Sequence, residues 1–198
     1  QTRALCRPGG VKLIINDTTE VDYGYSRRAT GLGPTGNGFG RGFFLHSALM
    51  VDAADGRVDG LAGQTLFYRQ PKPKRRAAKN TRRRAADRES VVWGELVDHV
   101  GPPPADVKWV HVDDRGADDC EVFCRIAAQG CSCVIRAARL NRWLETPDGR
   151  RVQLDQLLPE LPCRETRTLD VAAKGKQPAR TATLELRLAE VRMPLPRV

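Results

Sequence analysis

The stretch from Glu89 to Val112 constrains this chain more than any other. Val92, Trp93, Leu96, Val97 and Val100 fall on one face of a helix that Gly101 and Pro102-Pro103-Pro104 bring to a stop. An apolar run, Val107 to Val112, follows at once. A helix fed straight into a strand in this way is a crossover, which leaves its flanking strands parallel in one sheet. The unit then repeats. Ala117 to Gln129 carries Cys120, Phe123, Cys124 and Ala127 at helical spacing, Gly130 closes it, and Cys131 to Arg136 supplies another strand.

The segment upstream reads differently. Val11 to Ile15 is a short β-branched run ending in Asn16-Asp17, the pattern of a buried strand. Thr30 to Gly42 holds six glycines and a proline and reads as a loop. Phe43 to Val51 and Val58 to Tyr68 are strands joined by a turn at Asp55-Gly56, a hairpin. The expected fold is therefore α/β, with a mixed sheet antiparallel at one edge and parallel across the centre. Numbered along the chain, its five strands take the order 3-2-1-4-5. Ribonuclease-H-like folds are built on this plan. Beyond about Asn141 the texture changes to short alternating runs, such as Thr181 to Leu188, between turn signals such as Pro147-Asp148-Gly149. The expected division is a core over residues 1–141 and a β-rich unit over residues 142–198.

Composition narrows the partners. The 198 residues carry a net charge of +9, which favours polyanions, nucleic acid first and anionic membrane second. Ten basic residues and a single acid, Asp87, lie between Arg69 and Arg88, a block that repels itself and reads as a solvated loop or a clamp on a DNA backbone. No apolar run is long enough to span a membrane, and Val11 to Ile15 is too short for the core of a signal peptide. Cys6, Cys120, Cys124, Cys131, Cys133 and Cys163 lack the paired spacing of a zinc ribbon and read as reduced thiols, which implies the cytosol. The chain opens on Gln1 rather than Met, so its start is expected to lie inside a longer reading frame.

Asp17 and Asp114 each follow an apolar strand at its C-terminal end. On parallel neighbours both carboxylates emerge at the sheet edge where ligands bind in open α/β sheets. There they either begin a turn and a helix, as Asp often does, or share a hard divalent cation, Mg²⁺ with Mn²⁺ as a substitute.

The words around these residues favour the second reading. Ile15-Asn16-Asp17-Thr18-Thr19-Glu20, Thr30-Gly31-Leu32-Gly33, Gly40-Arg41-Gly42 leading to His46-Ser47, Glu89-Ser90 with Trp93, Val112-Asp113-Asp114-Arg115-Gly116-Ala117-Asp118 and Val134-Ile135-Arg136-Ala137 occur in that order. The ordered set, spanning roughly Val11 to Asn141, resembles the DDE transposases of bacterial insertion sequences, of the hairpin-forming cut-and-paste type. The resemblance implies that Asp17 and Asp114 are the first and second catalytic carboxylates and metal ligands, with Asp113 a weaker candidate. It makes Asp118 a helix-dipole partner or a support for the site. It also implies metal-dependent cleavage and strand transfer on double-stranded DNA, at transposon ends and target, by a parent protein dimeric on DNA and lying with the bacterial nucleoid in the cytoplasm.

The family's third carboxylate is a Glu in a helical Tyr-Arg-Glu word that nothing here matches. Glu185 and Glu190 lie in a strand-like stretch. The chain is thus expected to end inside the family's β-rich insertion, and the chain alone is expected to be inactive.

Several other residues are candidates of lesser weight. Arg136 and Arg41 are candidate DNA contacts, as are Lys72, Lys74, Arg75, Arg76, Arg82, Arg83 and Arg84 of the basic block. The glycine-rich segment is either a mobile flap over DNA or a connector, and it lacks the Gly-Lys-Ser/Thr ending of a phosphate loop. His46, Trp93 and Trp109 read as core residues. Two other functions share part of the pattern: a non-catalytic basic nucleic-acid-binding module, and a related metal-dependent nuclease that cuts without joining.

Overall fold

The computed structural model describes residues 2–6, 8–24, 30–36, 38–69 and 91–194. It divides into two compact units, Gln1–Ala138 and Arg139–Val198. The first is mixed α/β. Its strands are β1 (Val11–Asp22), β2 (Gly33–Thr35), β3 (Gly40–Asp52), β4 (Val58–Phe67), β5 (Lys108–Asp113) and β6 (Ser132–Ile135), and its helices are α1 (Val91–Val100) and α2 (Cys120–Ala128).

The sheet is mixed. β1 lies antiparallel to β3 and parallel to β5, β5 lies parallel to β6, and both β2 and β4 pair antiparallel with β3. The crossover expected from α1 is therefore present, since α1 leads into β5 and β5 runs parallel to β1. Two expectations need correction. The glycine-rich segment is not all loop: Gly33–Thr35 pairs with Gly40–Gly42 in a tight hairpin. Gly42 also permits the close approach of β3 to β1, because a Cβ there would lie 1.8 Å from the Val21 carbonyl oxygen. The helix expected over Ala117 to Gln129 also starts later. Arg115–Ala117 forms a 3-10 turn, and α2 begins at Cys120 behind Asp119, whose carboxylate accepts from Glu121 N.

Strand alternation sorts the side chains. Ile14, Ala48, Met50 and Trp109 point to the helices and pack with Leu96 and Val100 of α1, and with Val107. Val97, Ala117, Val122 and Ile126 form an adjoining cluster. Arg125 ties the two helices on their outer side, through Asp98 of α1 and Glu121 of its own helix. On the other face of the sheet Val11, Ile15 and Leu49 are about a third exposed.

A buried charge interrupts the apolar pattern near the start of β1. Lys12, fully buried in β1, places its Nζ 2.6 Å from Asp52 and 2.6 Å from Asp59. Burial pulls the Lys12 pKa down, but the bonds and charges of the two carboxylates outweigh it and leave it raised. Such a cluster is weak evidence for stability, yet removing one member strands a buried charge.

The second unit contains β7 (Trp143–Glu145), β8 (Arg151–Gln153), a short helix α3 (Leu154–Glu160), and β9 (Glu165–Val171) with β10 (Arg180–Leu186). β7 pairs with β8 and β9 with β10, both antiparallel. Leu144, Val152 and Leu157 form its core, with Leu154, Leu161, Val191 and Met193 against them. Antiparallel pairs were expected here. The helix was not.

Candidate functional site

β1 and β5 pair from Val11↔Lys108 to Ile15↔Val112. Extending that register by two positions sets Asp17 against Asp114. Lys12, Ile14 and Asn16 of β1 are buried while Asp17 is exposed, and Trp109, His111 and Asp113 of β5 are buried while Asp114 is exposed. The alternation therefore gives Asp17 to the face away from the helices, while Asp114, one residue past β5, is exposed beside the turn it caps. Contrary to expectation, Asp17 does not end its strand. β1 continues to Asp22 because β3 pairs with it as far as Asp22↔Gly42, with Ser47 opposite Asp17. Only the parallel partner stops short.

Local bonds hold both carboxylates. Asp17 Oδ1 accepts from Thr18 N at 2.7 Å. Asp114 stands in extended backbone (φ −79°, ψ −167°) and caps the 3-10 turn, its Oδ1 accepting from Gly116 N at 2.6 Å. Both groups act on one buried ring. His46 is 1% exposed, and burial pushes its imidazole down to about 4 against the pull of the Asp17 and Asp114 charges. Its Nδ1 lies 2.8 Å from Thr18 Oγ1, and Trp93 of α1 meets it edge-on with ring centroids 4.1 Å apart. Trp93 also presses on the turn after β5: a Cβ at Gly116 would lie 2.5 Å from the indole. The expectation of a core role holds for His46 and for Trp109, which is 1% exposed, while Trp93 is half-buried.

Behind the two aspartates lies a buried polar group that the sequence reading missed. Asn16 Nδ2 donates to Asp113 Oδ1 at 2.5 Å and lies 3.2 Å from His111 Nδ1. Burial raises the Asp113 carboxyl to about 6, the Asn16 bond works against that rise, and the Asp114 charge adds to it. Burial pushes His111 down to about 4. Cys133 of β6 is raised as well, by burial first and then by the Asp113 charge. The one signal available was phase, since Asn16 falls in step with Ile14 and His111 with Trp109.

The remaining candidates are scattered. Arg136 follows β6, exposed, with its N–H donating to Asp113 O at 3.1 Å; this carries the β5–β6 ladder to the level of Asp114. Arg41 opens β3 on the exposed side and donates to Leu32 O at 3.0 Å, so its guanidinium braces the glycine-rich hairpin. Asp118 is not in the first turn of α2; it is buried and accepts from Ala138 N at 2.7 Å. Lys72, Lys74, Arg75, Arg76, Arg82, Arg83 and Arg84 lie outside the described residues. Glu185 sits in β10, paired with Arg187. All six cysteines are free.

Among the described residues no group of three or more His, Cys, Asp or Glu side chains is arranged to hold a metal ion. Asp17 and Asp114 are two carboxylates, and a hard divalent cation held by them would take the rest of its shell from water or phosphate oxygens. That donor set fits Mg²⁺ or Mn²⁺ and does not suit a soft metal. No described helix is long and apolar enough to cross a membrane. Comparison with family models and with curated proteins finds no match.

Proposed function

We propose that this chain is part of the catalytic core of a DDE transposase of bacterial insertion sequences, acting on double-stranded DNA in the bacterial cytoplasm. The observation that carries the proposal is that β1 and β5 are parallel neighbours whose register, carried two positions past its last pair Ile15↔Val112, sets Asp17 of β1 against Asp114 just after β5, both exposed. The pairing sequence β4–β3–β1–β5–β6 supports a ribonuclease-H-like core. The ordered motif words from Asp17-Thr18-Thr19 to Arg136 supply the narrower family reading.

In this reading Asp17 and Asp114 hold Mg²⁺, or Mn²⁺ in its place. The metal would supply activation of the attacking oxygen and charge stabilisation at the leaving oxygen of a phosphodiester. The chain's own groups do the positioning. Thr18 N and Gly116 N fix the two carboxylates, and the neutral His46 ring with Trp93 supports the strand and the turn that carry them. Arg136, whose N–H bonds Asp113 O, would be the group to meet a phosphate. A third carboxylate belongs to the family's site, and the parent protein is expected to supply it and to act as a dimer on DNA.

The test uses both proteins. In the parent, Asp17→Asn or Asp114→Asn should abolish nicking and strand transfer at transposon ends while DNA binding persists. The 198-residue chain should bind Mn²⁺ but not cleave DNA. Nicking without strand transfer by the parent would favour the related nuclease. Absence of any Mn²⁺ effect would favour a non-catalytic binding module and defeat the proposal.

A further inference from the structure

The seam between β1 and β5 differs from the seams on either side of it. β1 stays paired with β3 as far as Asp22↔Gly42, and β5 stays bonded to the β6 side through Arg136 N and Asp113 O. The β1–β5 ladder has its last pair at Ile15↔Val112. One position further on, the backbone pairing of this seam gives way to a side-chain bond: Asn16 Nδ2 to Asp113 Oδ1, 2.5 Å long and joining residues 97 apart in sequence. Both side chains are buried, 6% and 7% exposed. The next residues along the chain are Asp17, still in β1, and Asp114, the first residue past β5.

Two carboxylates at that point repel each other and push the strands apart just where the ladder has ended. A buried bond immediately behind them resists that opening. Packing alone does not call for it, because apolar groups of similar shape fill such space without burying polar atoms. We infer that Asn16 and Asp113 are positioning residues, a cross-strand clasp that sets the spacing of Asp17 and Asp114 for a divalent cation. The inference rests on the proposed metal role of those two aspartates. Partners of this kind, one step behind the ligands, typically change metal affinity by about 10–100-fold when removed.

The test is Mn²⁺ titration of the full 198-residue chain by electron paramagnetic resonance, with folding followed by amide NMR. Asn16→Ala should bind Mn²⁺ about 10–100-fold more weakly than wild type. The exchange Asn16→Asp with Asp113→Asn reverses donor and acceptor across the same seam and should restore most of the affinity. Wild-type affinity in a folded Asn16→Ala would overturn the clasp. So would an exchanged variant that stays folded but binds as weakly as Asp114→Asn, since Asp113 would then be a ligand itself. Should Asn16→Ala fail to fold, the exchanged variant decides alone: affinity near wild type supports the clasp, and weak binding refutes it. Wild-type Mn²⁺ binding indifferent to both Asp17→Asn and Asp114→Asn has a separate signature: it would sink the metal site and the clasp with it.

Discussion

Three buried side chains near the aspartates titrate in opposite senses. His46 and His111 are held near 4, below the ordinary imidazole value, so between about pH 4 and 6.5 the unfolded chain takes up two protons that the folded one refuses. Their contribution is intact at neutral pH and lost on acidification. Asp113, raised to about 6, acts the other way: the folded state holds its proton from pH 6 down to about 4, where the unfolded carboxyl is ionised. In the window from about pH 4 to 6 these three groups leave about one extra proton on the unfolded state, so their joint contribution to stability falls on acidification, by on the order of 1 kcal/mol per pH unit. Asp113→Asn removes the opposing proton and should about double that slope. Urea titrations at several pH values between 4.5 and 6, followed by amide signals of β1 and β5, measure it. An unchanged slope in Asp113→Asn would show that this carboxyl does not hold its proton in the fold.

At the scale of elements, the turn after β5 is locked from above by α1. Gly116→Ala would drive a methyl group into the Trp93 indole and against Asp114 Oδ1, 3.0 Å away. The expected cost is about 1–3 kcal/mol, as for other overpacked sites, together with weaker Mn²⁺ binding. Adding Trp93→Leu should recover stability in denaturant melts; no recovery would place the strain elsewhere. Much of this arrangement was legible beforehand. The stripe Val92, Trp93, Leu96, Val97, Val100 ahead of Val107 to Val112 fixes a crossover, and the crossover makes β1 and β5 parallel, which is why Asp17 and Asp114 both follow the end of the β1–β5 ladder. Other features were not legible, for physical reasons. Asn16-Asp17 carries the local chemistry of a turn, yet β3 overrides it and extends β1 to Asp22. The short helix α3 has Leu154, Leu157 and Leu158 at helical spacing, but Pro159 lies inside it and it is only seven residues long. The Asn16–Asp113 bond joins residues 97 apart and leaves no periodic trace.

For the first unit as a whole, strand pairing spans two very different ranges of sequence. β1 meets β3 across 20 to 40 positions, whereas it meets β5 across 97. Closing the longer loop costs more chain entropy before any contact rewards it. The hypothesis that follows is a timetable: β1, β3 and β4 assemble first as an antiparallel meander, and β5 docks afterwards. Pulse-labelled hydrogen exchange during refolding should show β3 and β4 amides protected before those of β5; simultaneous protection would rule the timetable out. The same order holds during synthesis, where the chain emerges from its N-terminal end. Asp17 would then wait on a finished edge, its partner 97 residues away along the chain. If the two aspartates share a metal as proposed, a nascent chain would hold only one of them in place until the parallel seam shuts.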